Sequence, residues 1–368
     1  MAPQAGRIVV HLGLAFALSC VAMVLLRSCA RRLNLVDVPC SRKAHGGEVP
    51  LVGGLAIFLA VLAAQWLLAA PTQIAGLHLA LSVVIAVGLW DDIAEISPGV
   101  KLAAEMAASG VMIFGAGILL HGVGDILGWR PLGLSILAVP VTVFAMVGVV
   151  NSMNMIDGMD GLAGCIALVA FAWYAAVASL CGLDMQLDAA LLLCGAIAGF
   201  LLFNIRYPGH AHARAFLGDA GSLLLGFALG WFAIDLTQGP GRSFPPIAAL
   251  WVVLLPLADC VSVMARRVSA GRNPFVADRQ HIHHYLAARG FTHGQTLALL
   301  VGVSTLFGAV GFAGWRLAMP EAALFWPFFF GFFAYHAWIQ RAWKKVAAEP
   351  GPLPEVLVLD EEEARVPG

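Results

Sequence analysis

The sequence predicts an all-α, polytopic integral membrane protein of about eleven transmembrane helices, and three observations carry that reading. Of 368 residues, 60% are hydrophobic and only 12% charged, with a mean hydropathy of +0.87; soluble domains carry roughly 25% charged residues, so a water-soluble globule is excluded. Apolar runs recur at about the 20-residue length that a helix needs to cross a hydrocarbon core about 30 Å thick. Finally, Lys and Arg fall almost wholly on one side of the alternation that such helices impose.

Each run is bounded by polar or Gly/Pro-rich breaks. The first, 8–26, stops at Arg27; it is long enough to span, and no small-x-small cleavage site lies beyond it, so it reads as a membrane helix and not as a signal peptide. Run 51–70 lies between Pro50 and Pro71, and 76–90 stops at Asp91. Lys101 precedes 102–120, Arg130 and Pro131 precede 132–150, and a polar stretch from Asn151 separates that run from 161–180. Run 188–203 ends at Asn204, 215–235 runs from Arg214 to Asp235, and 246–265 begins at a proline pair and stops at Arg266. The last two, 296–315 and 321–340, are parted by Arg316 and Pro320. The third and seventh are the shortest, and runs of about 15 residues also suit tilted, partly buried or re-entrant segments.

Eleven spans put the termini on opposite sides. Of the 21 Lys and Arg residues, all but Arg7, Arg130, Arg242 and Arg316 share one face, which makes that face cytoplasmic, the N-terminus external and the C-terminus internal. The membrane domain is expected to occupy 1–345, and 346–368, rich in Pro and Glu, reads as a disordered acidic cytoplasmic tail. A formal net charge of -1, with no long basic run interleaved with aromatics, argues against nucleic acid as a partner. The seven cysteines form no CxxC pair and sit mostly in or beside apolar runs; they read as packing residues. No internal repeat of 20 to 50 residues is visible, which counts against a duplicated transporter.

Four polar constellations lie on the Lys/Arg-rich side. Asp91 and Asp92, with Glu95, form an acid pair at the end of the third run; adjacent carboxylates repel unless a cation or proton separates them, which suits Mg²⁺, although acids at a helix end also serve as caps. The stretch Asn151 to Leu162 places Asn151, Asn154, Asp157 and Asp160 with two glycines in what reads as a tight loop, able to press backbone and polar side chains against a ligand or simply to turn. Asn204 and the Phe216-Leu217-Gly218-Asp219 stretch place a lone acid where an apolar span starts, fit for an ion, a phosphate or a cap. Arg279 with His281, His283 and His284 makes a donor-rich cluster suited to a diphosphate and, with its unfamiliar spacing, less to zinc. Weaker features are Lys43 ahead of Gly53 and Gly54, Lys101 after the acid pair, and Asp235 and Asp259 within apolar runs, as apt for structural contacts as for ion sites.

These stretches, in this order over residues 8–345, resemble the polyprenyl-phosphate N-acetylhexosamine-1-phosphate transferases, glycosyltransferase family 4. The His281-Ile282-His283-His284 stretch sets the chain nearer the bacterial branch acting on undecaprenyl phosphate and N-acetylglucosamine 1-phosphate than the phospho-N-acetylmuramoyl-pentapeptide branch, which typically has Pro-x-His-His-His there. The resemblance implies Mg²⁺, with Mn²⁺ as a possible substitute, at Asp219 and Asp92; catalytic roles for Asp91, Asp92 and Asp160; uridine contacts around Asn154, Asp157 and Asp160; diphosphate contacts from His281, His283 and His284 with Arg279; and further substrate contacts from Asn151, Asn204, Lys43 and Lys101. One departure is Glu95, which stands where the family's DDxxD pattern has its third Asp.

The implied reaction takes N-acetylglucosamine 1-phosphate from UDP-N-acetylglucosamine to undecaprenyl phosphate at the cytoplasmic face of a bacterial inner membrane and releases UMP. It would open the synthesis of a surface polysaccharide such as O antigen or common antigen. The bilayer holds one substrate and water the other, so transfer belongs at their boundary. The resemblance also suggests a homodimer. Direct displacement is favoured over an aspartyl-phosphate route, which remains open. UDP-N-acetylgalactosamine or a 6-deoxy sugar fits the same sites, with discrimination expected from the loop between Arg266 and Gln295. A secondary transporter relaying ions through Asp91, Asp219 and Asp259 is the rival of a different class.

Overall fold

The computed structural model describes residues 2–37, 48–68, 75–207, 212–239, 244–273 and 280–348. Lys43, Arg279 and the acidic tail from Glu349 lie outside the described residues. The described chain is an all-α polytopic membrane protein. Its helices are α1 (Ala2–Cys29), α2 (Gly53–Leu67), α3 (Ala75–Ile93), α4 (Pro98–Gly110), α5 (Ala138–Ile156), α6 (Leu162–Leu180) and α7 (Asp184–Asn204). They continue with α8 (Gly218–Asp235), α9 (Pro246–Val252), α10 (Leu254–Ser269), α11 (Ile282–Ala288), α12 (His293–Arg316) and α13 (Glu321–Ala348).

Every one of the eleven predicted runs contains a helix, and seven described helices are long and apolar enough to cross a membrane, or eight if the bent α9–α10 pair counts as one span. The short third and seventh runs form helices of 19 and 21 residues. The ninth run is the broken one: α9 and α10 meet at 79°, and Pro256, without an N–H to offer, sits in the first turn of α10. Residues 251–256 around that break are all buried, the condition under which irregular backbone is tolerated at membrane depth.

Three further boundaries differ from the expectation. The fourth run is helical only to Gly115, ending in a π-helical turn over Val111–Gly115. Helix α5 runs past 150 and takes Asn151 and Asn154 into its last turns, where the Asn151 amide donates a hydrogen bond to Val147 O one turn back (2.9 Å). His283 and His284 belong to a short helix, α11, with His281 as its N-cap residue, instead of to an open loop. The only strands among the described residues are β1 (Val36–Asp37) and β2 (Val49–Pro50), paired antiparallel.

Helix α8 is the axis of the fold. It packs against α2, α3, α5, α6 and α9 and is buried from Ala220 through Phe232, as an all-round apolar helix must be. Small residues permit that crowding: a Cβ on Gly54 of α2 would stand 2.2 Å from Gly221 N, and one on Gly88 of α3 would stand 2.3 Å from Ala220 Cα. At the far end of the chain's first helix, α1 lies along α7. Ser19 donates to Ala196 O at 2.7 Å, and Arg7 bridges Asp184 (2.7 Å) and Asp188 (2.6 Å).

Candidate active site

The site is built on the N-terminus of α8. Gly218 opens that helix with φ +75°, a conformation L side chains rarely adopt, and a Cβ there would also stand 2.6 Å from Asp92 Oδ2. The space goes to the Asp92 carboxylate, which reaches over from the last turn of α3. Asp219 N donates to its Oδ1 (2.7 Å) and Ala220 N to its Oδ2 (3.2 Å). Asp92 is thus a cap supplied by another helix, satisfying two of the orphan donors at the positive end of α8. It fixes the direction in which Asp219 leaves the backbone.

Asp219 is gripped from two sides. Asn154 on α5 donates to Asp219 Oδ1 and also to Ser222 Oγ (2.8 Å), while Lys101, on the first turn of α4, stands 3.6 Å from the same Oδ1. Lys101 Nζ makes its tighter ion pair with Asp91 Oδ2. Asp91 Oδ1 accepts from Ile96 N at 2.9 Å, which holds the bend between α3 and α4. The Asp91 and Asp219 carboxylates also lie within hydrogen-bonding reach of each other. Asp91, Asp92, Asn154, Lys101 and Asp219 therefore converge from four helices.

The remaining expected residues are placed differently. Asn151 donates to Glu105 Oε2 on α4 (2.7 Å), one turn deeper along α5. Glu105 is a buried acid that the sequence reading passed over; its signal was a charge inside an otherwise apolar run. Asn204 is buried and spends its amide on backbone, accepting from Gly161 N (2.7 Å) and donating to Ala215 O (2.9 Å), so it joins the loop after α5 to the segment ahead of α8. Asp160 is paired with Arg206 at 2.6 Å. It lies on the wall of a cavity of about 490 Å³ lined also by Arg27, Arg31, Arg214 and Phe216, which Asp91, Asp92 and Asp219 do not line.

Asp157 follows the last residue of α5, and burial, with the Asp219, Asp92 and Asp160 carboxylates nearby, pushes it well above the usual carboxylate range. Against the same loop stands His283: a Cβ on Gly158 would meet its Nε2 at 2.5 Å. Neither ring nitrogen of this buried imidazole has a partner among the described residues. Burial and the flanking His284 and His281 hold it well below the usual imidazole range, so it is neutral, with one N–H to give. The rings of His281 and His283 lie parallel with centroids 5.8 Å apart, and the His284 ring is tilted 49° against His283 at 4.1 Å.

Among the described residues no three His, Cys, Asp or Glu side chains form a set that would cage a metal by themselves. A cation that takes one or two carboxylates, substrate phosphates and water needs no such cage.

Residues 74–237, which hold Asp91 through Asp219, match the sequence pattern of Glycosyl transferase family 4. The chain is 35% identical over 328 residues to the undecaprenyl-phosphate alpha-N-acetylglucosaminyl 1-phosphate transferase of Haemophilus influenzae, covering 88% of this chain and 92% of that protein. The proteins of the same name from Escherichia coli K12 and Salmonella typhi are 33% and 34% identical over 334 residues, each covering 89% of this chain and 90% of the relative. The chain belongs to glycosyl transferase family 4, in the group of the undecaprenyl-phosphate alpha-N-acetylglucosaminyl 1-phosphate transferases.

Proposed function

We propose that the chain transfers N-acetylglucosamine 1-phosphate from UDP-N-acetylglucosamine to undecaprenyl phosphate, giving UMP and the lipid diphosphate sugar, as the first membrane step of a surface polysaccharide. The observation that carries the reading is the convergence of Asp91, Asp92, Asp219, Asn154 and Lys101 at the N-terminus of α8. The relatives' name supplies the acceptor and the transferred group. The Lys/Arg distribution supports eleven crossings with this site toward the cytoplasm of a bacterial inner membrane.

The donor set fits Mg²⁺. Carboxylate oxygens of Asp91 and Asp219 face each other and share Lys101, and Asp92 adds a third carboxylate beside them. Asp219, with Asp91 or Asp92, would hold the ion, which when bound neutralises charge on the transferring phosphoryl group. Lys101 adds a fixed cation beside the carboxylates. The cavity beside Asp160 seats the nucleotide in this reading: Phe216 brings a ring to its wall, and Arg27, Arg31, Arg206 and Arg214 bring positive charge. His283, against Gly158, offers its one N–H to the diphosphate.

In the transfer, an oxygen of the lipid phosphate bonds to the β-phosphorus of the donor, the bond from that phosphorus to the bridging oxygen breaks, and UMP leaves with the electron pair. A phosphate monoester has a second pKa of about 6, so the acceptor is already a nucleophile at neutral pH and needs no covalent relay. Asp92 is poorly placed to attack, since both its oxygens hold α8. Asp91 is held likewise, by Ile96 N and Lys101, so the acid pair serves to take a residual proton or to hold the metal, not to attack.

The test is UMP release by the purified protein in detergent with undecaprenyl phosphate, Mg²⁺ and a panel of UDP-N-acetyl sugars, with and without EDTA. Lipid-dependent, EDTA-sensitive release with UDP-N-acetylglucosamine is expected. No release with any sugar from folded protein would overturn the reading.

A further inference from the structure

Asp259, on α10, is a buried carboxylate outside the group at α8, with three donors around it. His281 Nδ1 lies 2.7 Å from its Oδ2; Ile282 N and Tyr335 OH donate to its Oδ1 at 3.0 and 2.8 Å. Next to it, Arg266 Nη2 and Trp343 Nε1 both donate to Gln280 O (2.6 and 3.1 Å). Residues 280–282 are thereby tied to α10 and α13 just where the imidazole stack begins. A carboxylate on Nδ1 compels that nitrogen to carry the proton, which leaves Nε2 as the nitrogen free for other work and fixes the plane of the ring. The ring of His283 lies parallel to that of His281, 9° between planes, so the orientation set at His281 carries to the imidazole that meets Gly158.

We infer that Asp259 is the positioning residue of the histidine turn: with Tyr335 it sets the tautomer and plane of His281, and through the stacked rings it aims the turn at the diphosphate of the nucleotide sugar. The inference rests on the transfer reaction proposed above. In that reaction Asp259 touches neither substrate. It acts through His281.

The experiment measures UMP release for wild type, Asp259→Asn, His281→Ala and the double variant, with separate KM values for UDP-N-acetylglucosamine and undecaprenyl phosphate, alongside thermal unfolding. An amide matches only part of a three-donor site, so Asp259→Asn should raise the donor KM about 10- to 100-fold, taking as the scale the loss when the carboxylate behind a metal-ligating histidine is removed. The lipid KM should stay put, whereas loss of folded enzyme lowers kcat and moves neither KM. In the His281→Ala background the same change should add less than about threefold, since residues acting in series are not additive. If Asp259→Asn does not fold, Tyr335→Phe takes its place, with a donor KM raised roughly threefold for one lost hydroxyl and no effect once His281 is gone. An unchanged donor KM in a folded variant, or a full effect without His281, overturns the assignment while wild-type turnover stands; a wild type without turnover overturns the reaction and the assignment together.

Discussion

Gly88→Ala asks whether the chemistry depends on how closely α3 lies against α8. An added Cβ would stand 2.3 Å from Ala220 Cα, 2.6 Å from Ala220 N and 2.9 Å from Asp219 C. Carbon atoms rest at about 3.5–4.0 Å, and the obstacle is backbone, so the two helices must part by on the order of 1 Å. Gly88 lies one turn before Asp92, and the displaced α8 turn carries Asp219. Overpacking of this kind costs about 1–3 kcal/mol, and misplacing reacting groups by about 1 Å costs roughly 100-fold in rate. The assay is kcat for UMP release beside a melting curve in the same detergent. The expected result is a loss of about 100-fold in kcat with a lowered melting temperature, while Gly148→Ala, on α5 with open space around it, stays within about twofold and gains a little helix propensity. Wild-type turnover and melting in Gly88→Ala would refute the account of the α3–α8 contact.

Asn204→Ala should lower the melting temperature sharply, since Gly161 N and Ala215 O lose their partner and each stranded buried group costs about 1–3 kcal/mol. Mg²⁺ at 100 times its Kd should stabilise the wild type by about 2.7 kcal/mol, read as a rise in melting temperature, and Asp219→Asn should abolish both that rise and turnover; an Mg²⁺-stabilised, active Asp219→Asn would remove Asp219 from the metal's partners. Asp157 is held above the usual carboxylate range in the fold, so in EDTA it subtracts stability as pH climbs from about 3.9, the unfolded value, through the raised folded one. Melting temperatures of Asp157→Asn across that range should fall less steeply than those of the wild type, and parallel curves would contradict the upward shift of this group.

The helical membrane class was legible because composition and run length are properties of the linear chain. So was the list of polar stretches, which the fold brings together only in part. What a one-dimensional reading could not supply was which oxygen faces which donor across more than a hundred residues. Asp92 and Asp219 each looked like an ion ligand or a cap; the fold makes Asp92 the cap of the helix that carries Asp219. Asn151 and Asn154 looked like one loop, yet they are helical and point to different partners, Glu105 and Asp219. Asn204 looked like a ligand group and is spent on two backbone atoms. The bend in the ninth run had a visible signal in Pro256 that a hydropathy reading averages away. The strand pair and the bridge from Leu51 to Phe216 were too short and too distant in sequence to leave a pattern.

The seam between α1 and α7 sets a timetable for assembly. Between the end of α1 at Cys29 and the start of α7 at Asp184 lie five other helices, and at synthesis rates of about 5–20 residues per second that stretch takes roughly 10–30 s. During this interval the Ser19 hydroxyl lacks its carbonyl and Arg7 lacks both of its carboxylates, and α1 has only α2 among its main neighbours to lie against. A helix made well before its main neighbour is thus finished late. A chain halted before Asp184 would leave the Ser19 hydroxyl without its carbonyl along α1 and Arg7 without its carboxylates at the end of that helix.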